Sequence, residues 1–238
     1  MDPTQVMTLL TAAGAAFMAA DAWLGGRRTE GYNATVAWKR GGAFVLAAIT
    51  LGYLSGVTQE ITTQAAWPGN LDARAWPGLA IYTVLIVVGY GVIWPRGTLT
   101  HGRPLRPLRA VFFGLCWGLA QSLVFLTLWT WCGLLGLGPW WTAGLAYLAI
   151  GTYNGLWQAL YWDVKVSPPH NIQSWNARKV ALVHTPNLLF TLAWLTVYGL
   201  PGAWVVVVMQ CTALVLSSWT MHFPAPGDDG APDPQPDD

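Results

Sequence analysis

The sequence predicts an all-α integral membrane protein: a bundle of seven transmembrane helices with the N-terminus outside and the C-terminus in the cytoplasm. Three observations carry this. Of the 238 residues, 54% are hydrophobic and only 10% charged, against about 25% charged in ordinary soluble domains. The apolar residues gather in continuous runs rather than alternating, which suits helices and not strands. Basic residues sit almost entirely in alternate loops.

The runs give spans at roughly Gln5–Leu24, Gly41–Thr58, Pro77–Trp94, Arg109–Gly133, Pro139–Trp162, Val180–Gly199 and Pro201–Met221. Each approaches the ~20 residues that cross ~30 Å of hydrocarbon as a helix. The first run has no basic segment ahead of it, so it reads as a span rather than a cleaved signal. Arg27, Arg28, Lys39 and Arg40 fall between spans one and two. Arg96, Arg103, Arg106 and Arg109 fall between three and four, and Lys165, Arg178 and Lys179 between five and six. Only Arg74 falls on the other side, so the positive-inside rule places 11 of the 12 basic residues in the cytoplasm. Residues 1–223 thus form one seven-span domain of a multi-pass cell-membrane protein. The Pro-, Gly- and Asp-rich stretch 224–238 reads as a disordered, acidic cytoplasmic tail.

Polar residues concentrate between Asn154 and Asn187. On span five, Tyr147, Asn154, Gln158 and Tyr161 share one helical face. On span six, His184, Asn187, Thr191, Trp194 and Tyr198 share another. The two stripes are expected to face each other or a common cavity, because neither suits lipid. Trp117 and Gln121 on span four, Gln210 and Ser217 on span seven, and Asp21 at the inner end of span one extend the set. Most of these lie in the cytoplasmic half, so the expected pocket opens inward. Pro186 frees a carbonyl near Leu182 and can kink span six beside His184 and Asn187. The plainer alternative is interhelical glue, worth ~0.6 kcal/mol per hydrogen bond.

Ionisable groups at membrane depth point to function by default. Asp163 follows Trp162 at the inner end of span five, where partial burial favours the protonated form. A salt bridge to Lys165, Arg178 or Lys179 is its structural alternative. Asp21 is the second acid candidate, and Glu60 maps to the outer end of span two. Sixteen tryptophans stand out. Those at span ends form interfacial belts; Trp117, Trp129, Trp157, Trp194 and Trp219 lie deeper and either pack or line a cavity. Desolvated aromatic faces stabilise cations by ~0.5–2 kcal/mol each. An acid among such rings is equipped to protonate an alkene or epoxide and to guide the cation that results.

Several classes drop out. There is no paired-carboxylate Mg²⁺-diphosphate motif, no HExxH and no GxSxG. The last span has no Lys to form a Schiff base, no phosphate loop exists, and the short basic loops do not read as a nucleic-acid surface. Cys116, Cys132 and Cys211 lack metal spacing and read as small buried apolar residues. No metal or other cofactor is expected.

In length, span count, aromatic richness and its isolated acids Asp21, Glu60 and Asp163, the chain resembles the small seven-helix membrane terpene cyclases of fungal meroterpenoid and bacterial prenyl-indole pathways. The resemblance is one of architecture and carries no aligned motif. It implies metal-independent, protonation-initiated cyclisation of a prenylated small molecule entering from the cytoplasmic leaflet. On that reading Asp163 donates the proton, tuned by Tyr161 and His184, with Asp21 as second candidate. Trp117, Trp157 and Trp194 line the cavity, and Gln121, Asn154, Gln158 and Asn187 orient substrate or cation. A small-solute transporter hinged at Pro186, and a non-catalytic membrane assembly partner, are the competing readings.

Overall fold

The computed structural model describes residues 34–64, 73–96, 104–154 and 179–223; of Val36, Ala37 and Arg40 it describes the backbone alone. All regular structure in these residues is helical. The α-helices are α1 (Ala34–Leu54), α2 (Val57–Gln64), α3 (Ala75–Val88), α4 (Pro107–Gly133), α5 (Pro139–Thr152), α6 (Thr185–Tyr198) and α7 (Ala203–Thr220). These seven segments are not the seven expected spans. The first expected span and the inner third of the fifth lie outside the described residues, as does the tail.

Four helical stretches are long and apolar enough to cross a membrane: Ala75–Ile93, Pro107–Gly133, Val180–Tyr198 and Leu200–Thr220. They coincide with expected spans three, four, six and seven within a few residues. Expected span two differs. It breaks at Ser55–Gly56, and its continuation α2 turns away by 73°. Gly56 sits at φ +78°, a left-handed conformation that stops a helix and that side chains resist. The pair is either one broken span, making a fifth, or a re-entrant hairpin.

Local chemistry sets the other ends. Proline occupies the first turn of α4 and of α5, where its missing N–H costs nothing. Gly136 and Gly138, both at positive φ, make the turn from α4 to α5. Gly199, also at positive φ, ends α6 before Pro201.

Two helices carry a π turn at the same end of the bundle. α3 continues as Gly89–Ile93, with the Trp94 N–H donating to the Gly89 carbonyl. α6 is preceded by Val180–His184, with the Thr185 N–H donating to the Val180 carbonyl. The second lies immediately before Pro186, which has no N–H for the Leu182 carbonyl; widening the preceding turn accommodates that loss. The two π turns pack on each other, Gly89 facing Val183.

α4 and α7 form the central seam. A Cβ on Gly114 would fall 2.5 Å from Val215 Cα, and one on Gly118 would fall 2.5 Å from Cys211 Cα. Only glycines spaced by four allow the two backbones this approach, the small-xxx-small solution of membrane helices. α1 packs on an adjoining face of α4 through Phe44 and Trp117, whose ring centroids are 4.6 Å apart. α5 and α6 meet through an apolar cluster of Phe125, Ala146, Ile150, Leu188 and Leu192. Ile81, Val84, Val87 and Val88 on α3 are exposed, the pattern of a lipid-facing helix side.

Candidate functional site

Two features meet at one end of the bundle: a buried hydrogen-bonded core and an aromatic cavity. The core is built by α3, α4, α6 and α7. Gln210, fully buried on α7, is its hub. Its amide nitrogen lies 3.0 Å from Asn187 Oδ1, 3.1 Å from the Tyr82 hydroxyl and 3.1 Å from Thr191 Oγ1. Its oxygen accepts from Asn187 Nδ2 at 3.1 Å and from Gln121 Nε2 at 3.2 Å. Tyr82 and Thr191 hydroxyls also bond to each other. Nearly every polar group here is paired, as burial in a low-dielectric interior demands.

The chain of bonds then leaves the core. Asn187 Nδ2 donates to the Tyr90 hydroxyl at 3.1 Å. The other hydrogen-bond partner of that hydroxyl is His184 Nδ1, at 3.3 Å. With Asn187 donating to it, the Tyr90 hydroxyl has its own proton to give to Nδ1; in that arrangement neutral His184 carries its ring hydrogen on Nε2. His184 packs edge-on against Trp94, with centroids 5.1 Å apart. Lys179 Nζ lies over the other part of this group, 4.4 Å from the Trp94 ring centroid, a cation–π contact. Lys179 stands just before the span; it is buried, and burial pulls its ammonium down to about 8.

Tyr82, Tyr90 and Trp94 are spaced 8 and 4. In an uninterrupted α-helix of 3.6 residues per turn, a 12-residue interval rotates Trp94 away from Tyr82. The wider π turn at Gly89–Ile93 takes up that drift and helps hold the three rings toward α6.

The cavity has a volume of about 250 Å³ and lies where α3, α5 and α7 end and α4 and the π turn of α6 begin. This is the end that carries Arg96, Arg106 and Arg109. Its aromatic wall is Tyr90, Trp94, Phe113, Trp117, Tyr147 and Phe223. The rings are fixed against one another: Phe113 stacks on Phe223 at 3.7 Å and on Trp117 at 5.7 Å. Polar groups enter at Gln121, Asn154, His184, Ser217 and Ser218. Among the described lining residues none is a carboxylate.

Of the residues singled out from sequence, Trp117, Gln121, Tyr147, Asn154, His184 and Ser217 are brought together at this cavity. Asn187 lies one layer deeper, inside the hydrogen-bonded core. Trp194 is elsewhere: its indole N–H donates to the Gly202 carbonyl at 3.0 Å and pins the turn between α6 and α7. Asp21, Trp157, Gln158, Tyr161 and Asp163 lie outside the described residues. Glu60 is half-buried in the first turn of α2. The stripe from Asn187 to Trp194 faces α3 and α7, not α5. The α5–α6 contact is made by Leu188 and Leu192 instead, one residue further round the helix.

Sequence reasoning missed Tyr82 and Tyr90 entirely, and with them the role of α3. The readable signal was two tyrosines eight apart in an otherwise aliphatic span, a spacing that nearly repeats on a helix face.

No protein-family model, no curated protein and no solved structure matches the chain.

Proposed function

We propose that this protein is a membrane-embedded enzyme that cyclises a prenylated small molecule by protonating an alkene or epoxide, without a metal ion. The observation that supports it is the cavity wall: six aromatic rings and several amide or hydroxyl groups, with no carboxylate, Lys or Arg among its described residues. Aromatic faces and amide oxygens stabilise developing positive charge without capturing it. The acid comes from the sequence candidates, Asp163 first and Asp21 second. With the basic end of the bundle in the cytoplasm, as loop charges indicate, substrate enters from the inner leaflet. The acid's proton adds to the substrate, the cation closes the ring, and a proton leaves the product, so substrate and product are isomers.

The test is direct. Membranes containing the protein are incubated with plain and epoxidised prenylated aromatics, with and without chelator. A cyclic product of unchanged mass, formed in chelator and lost in Asp163→Asn, is the expected result. Unchanged turnover in Asp163→Asn removes that residue's role, and no product from either substrate class refutes the reading.

A second reading has its own support. The break at Ser55–Gly56, the two π turns and the buried chain from Gln210 to His184 supply the discontinuous helices and polar lining that a small-solute transporter would use. Uptake of solute into proteoliposomes, absent from protein-free vesicles, would favour it.

A further inference from the structure

The cavity contains two side-chain amides whose oxygens lack a hydrogen-bond donor among the described residues. Asn154, at the end of α5, has its Oδ1 buried with no partner. Gln121, on α4, uses its Nε2 on Gln210 and makes no other hydrogen bond, so its Oε1 has no donor either. Both residues line the same cavity, among aromatic rings. Buried polar groups in native structures are nearly always paired, and an unmatched one asks for an explanation. Among the other described amides, Gln210 and Asn187 are saturated within the core. The Thr58 and Thr127 hydroxyls and the Trp131 indole N–H are also buried without a partner, but Asn154 is the buried amide acceptor left unmatched, and it lines the cavity.

We infer that the cavity takes an apolar ligand carrying a hydroxyl or N–H group, and that Asn154 is the residue that accepts its hydrogen. A hydroxyl fits better than a carbonyl or ether because the missing group is a donor. The aromatic wall then holds the apolar body. Gln121 supplies a second acceptor from the neighbouring helix, held in place by the core through Gln210. This inference rests on the proposed use of the cavity for a prenyl-type molecule, and it adds the polar group that molecule must bear.

The probes are an isoprenoid alcohol and its methyl ether, which keeps the apolar body and the oxygen but loses the hydrogen. Binding of each is measured by isothermal titration to the full chain in nanodiscs, for wild type and Asn154→Leu. Leaving a buried acceptor unmatched costs enough that the alcohol should bind wild type roughly tenfold tighter than the ether. Asn154→Leu should lower alcohol binding to the level of the ether and leave ether binding unchanged. Equal wild-type affinity for the two probes overturns the inference while leaving an apolar cavity in use. No binding of either probe overturns the inference together with the prenyl reading beneath it. The wild-type ratio decides the matter even where the variant does not fold.

Discussion

Replacing Gln210 by Leu tests the buried core at its hub. Leu keeps most of the side-chain volume and removes both amide groups. The Gln210 nitrogen can satisfy two of its three neighbours at once, and its oxygen accepts from Asn187 and Gln121. Four hydrogen bonds are therefore lost. Interhelical bonds in membrane proteins average ~0.6 kcal/mol each, so the loss is roughly 2–3 kcal/mol. Stranded donors on Asn187 and Gln121 act in the same direction. The measurement is reversible unfolding in mixed micelles. Thr212→Val is the control, because the half-buried Thr212 bonds only to the Val208 carbonyl of its own helix. A double variant, Gln210→Leu with Asn187→Leu, should lose clearly less than the sum of the two single changes, since they share bonds. A loss below about 0.5 kcal/mol for Gln210→Leu, or strict additivity, would refute the view that these residues act as one network.

Three further outcomes follow from the same geometry. Gly114→Ala forces a methyl against the backbone of Val215, so it should destabilise the bundle by roughly 1–3 kcal/mol, while Gly144→Ala, where nothing lies within 4 Å, should not; chemical unfolding of the two compares them. Nitrogen NMR of His184 should show the ring hydrogen on Nε2 in wild type, and Tyr90→Phe should disturb that assignment by removing the hydroxyl at Nδ1. Lys179 is pulled down to about 8 from an ordinary 10.5. Between those values the unfolded chain holds more protons than the fold, so stability should rise with pH across that interval. Lys179→Met should flatten that rise in unfolding curves taken from pH 7 to 11.

Long apolar runs with helix-stopping punctuation were legible, because hydropathy and proline or glycine placement act locally. Pro107, Pro139, Gly199 and Pro201 mark ends that the structure keeps. The break in expected span two was written in the Ser55–Gly56 pair and in the polar residues that follow Val57, but hidden by the long apolar run ahead of it. The Gly114–Gly118 seam was equally readable as a spacing, yet its partner on α7 is set by tertiary packing. The cavity was partly legible: Trp117, Gln121, Asn154 and His184 do meet. Which way the α6 stripe faces was not. Asn187 and Leu188 are adjacent, so about 100° of rotation decides whether amide or leucine meets α5. That choice depends on Tyr82 and Gln210, residues 105 and 23 positions away in sequence. The π turn that keeps Trp94 beside Tyr90 also shifts a helix face by an amount that a 3.6-residue period does not contain.

The central claim is that this cavity stabilises positive charge on an apolar molecule. A trimethylammonium-tipped prenyl chain and its neutral tert-butyl isostere differ in that charge alone. Two or more aromatic faces at ~0.5–2 kcal/mol each predict that the ammonium probe binds about tenfold tighter in nanodiscs, and that Trp117→Leu narrows the ratio. Equal binding of the two probes, or a ratio indifferent to Trp117, would contradict the account.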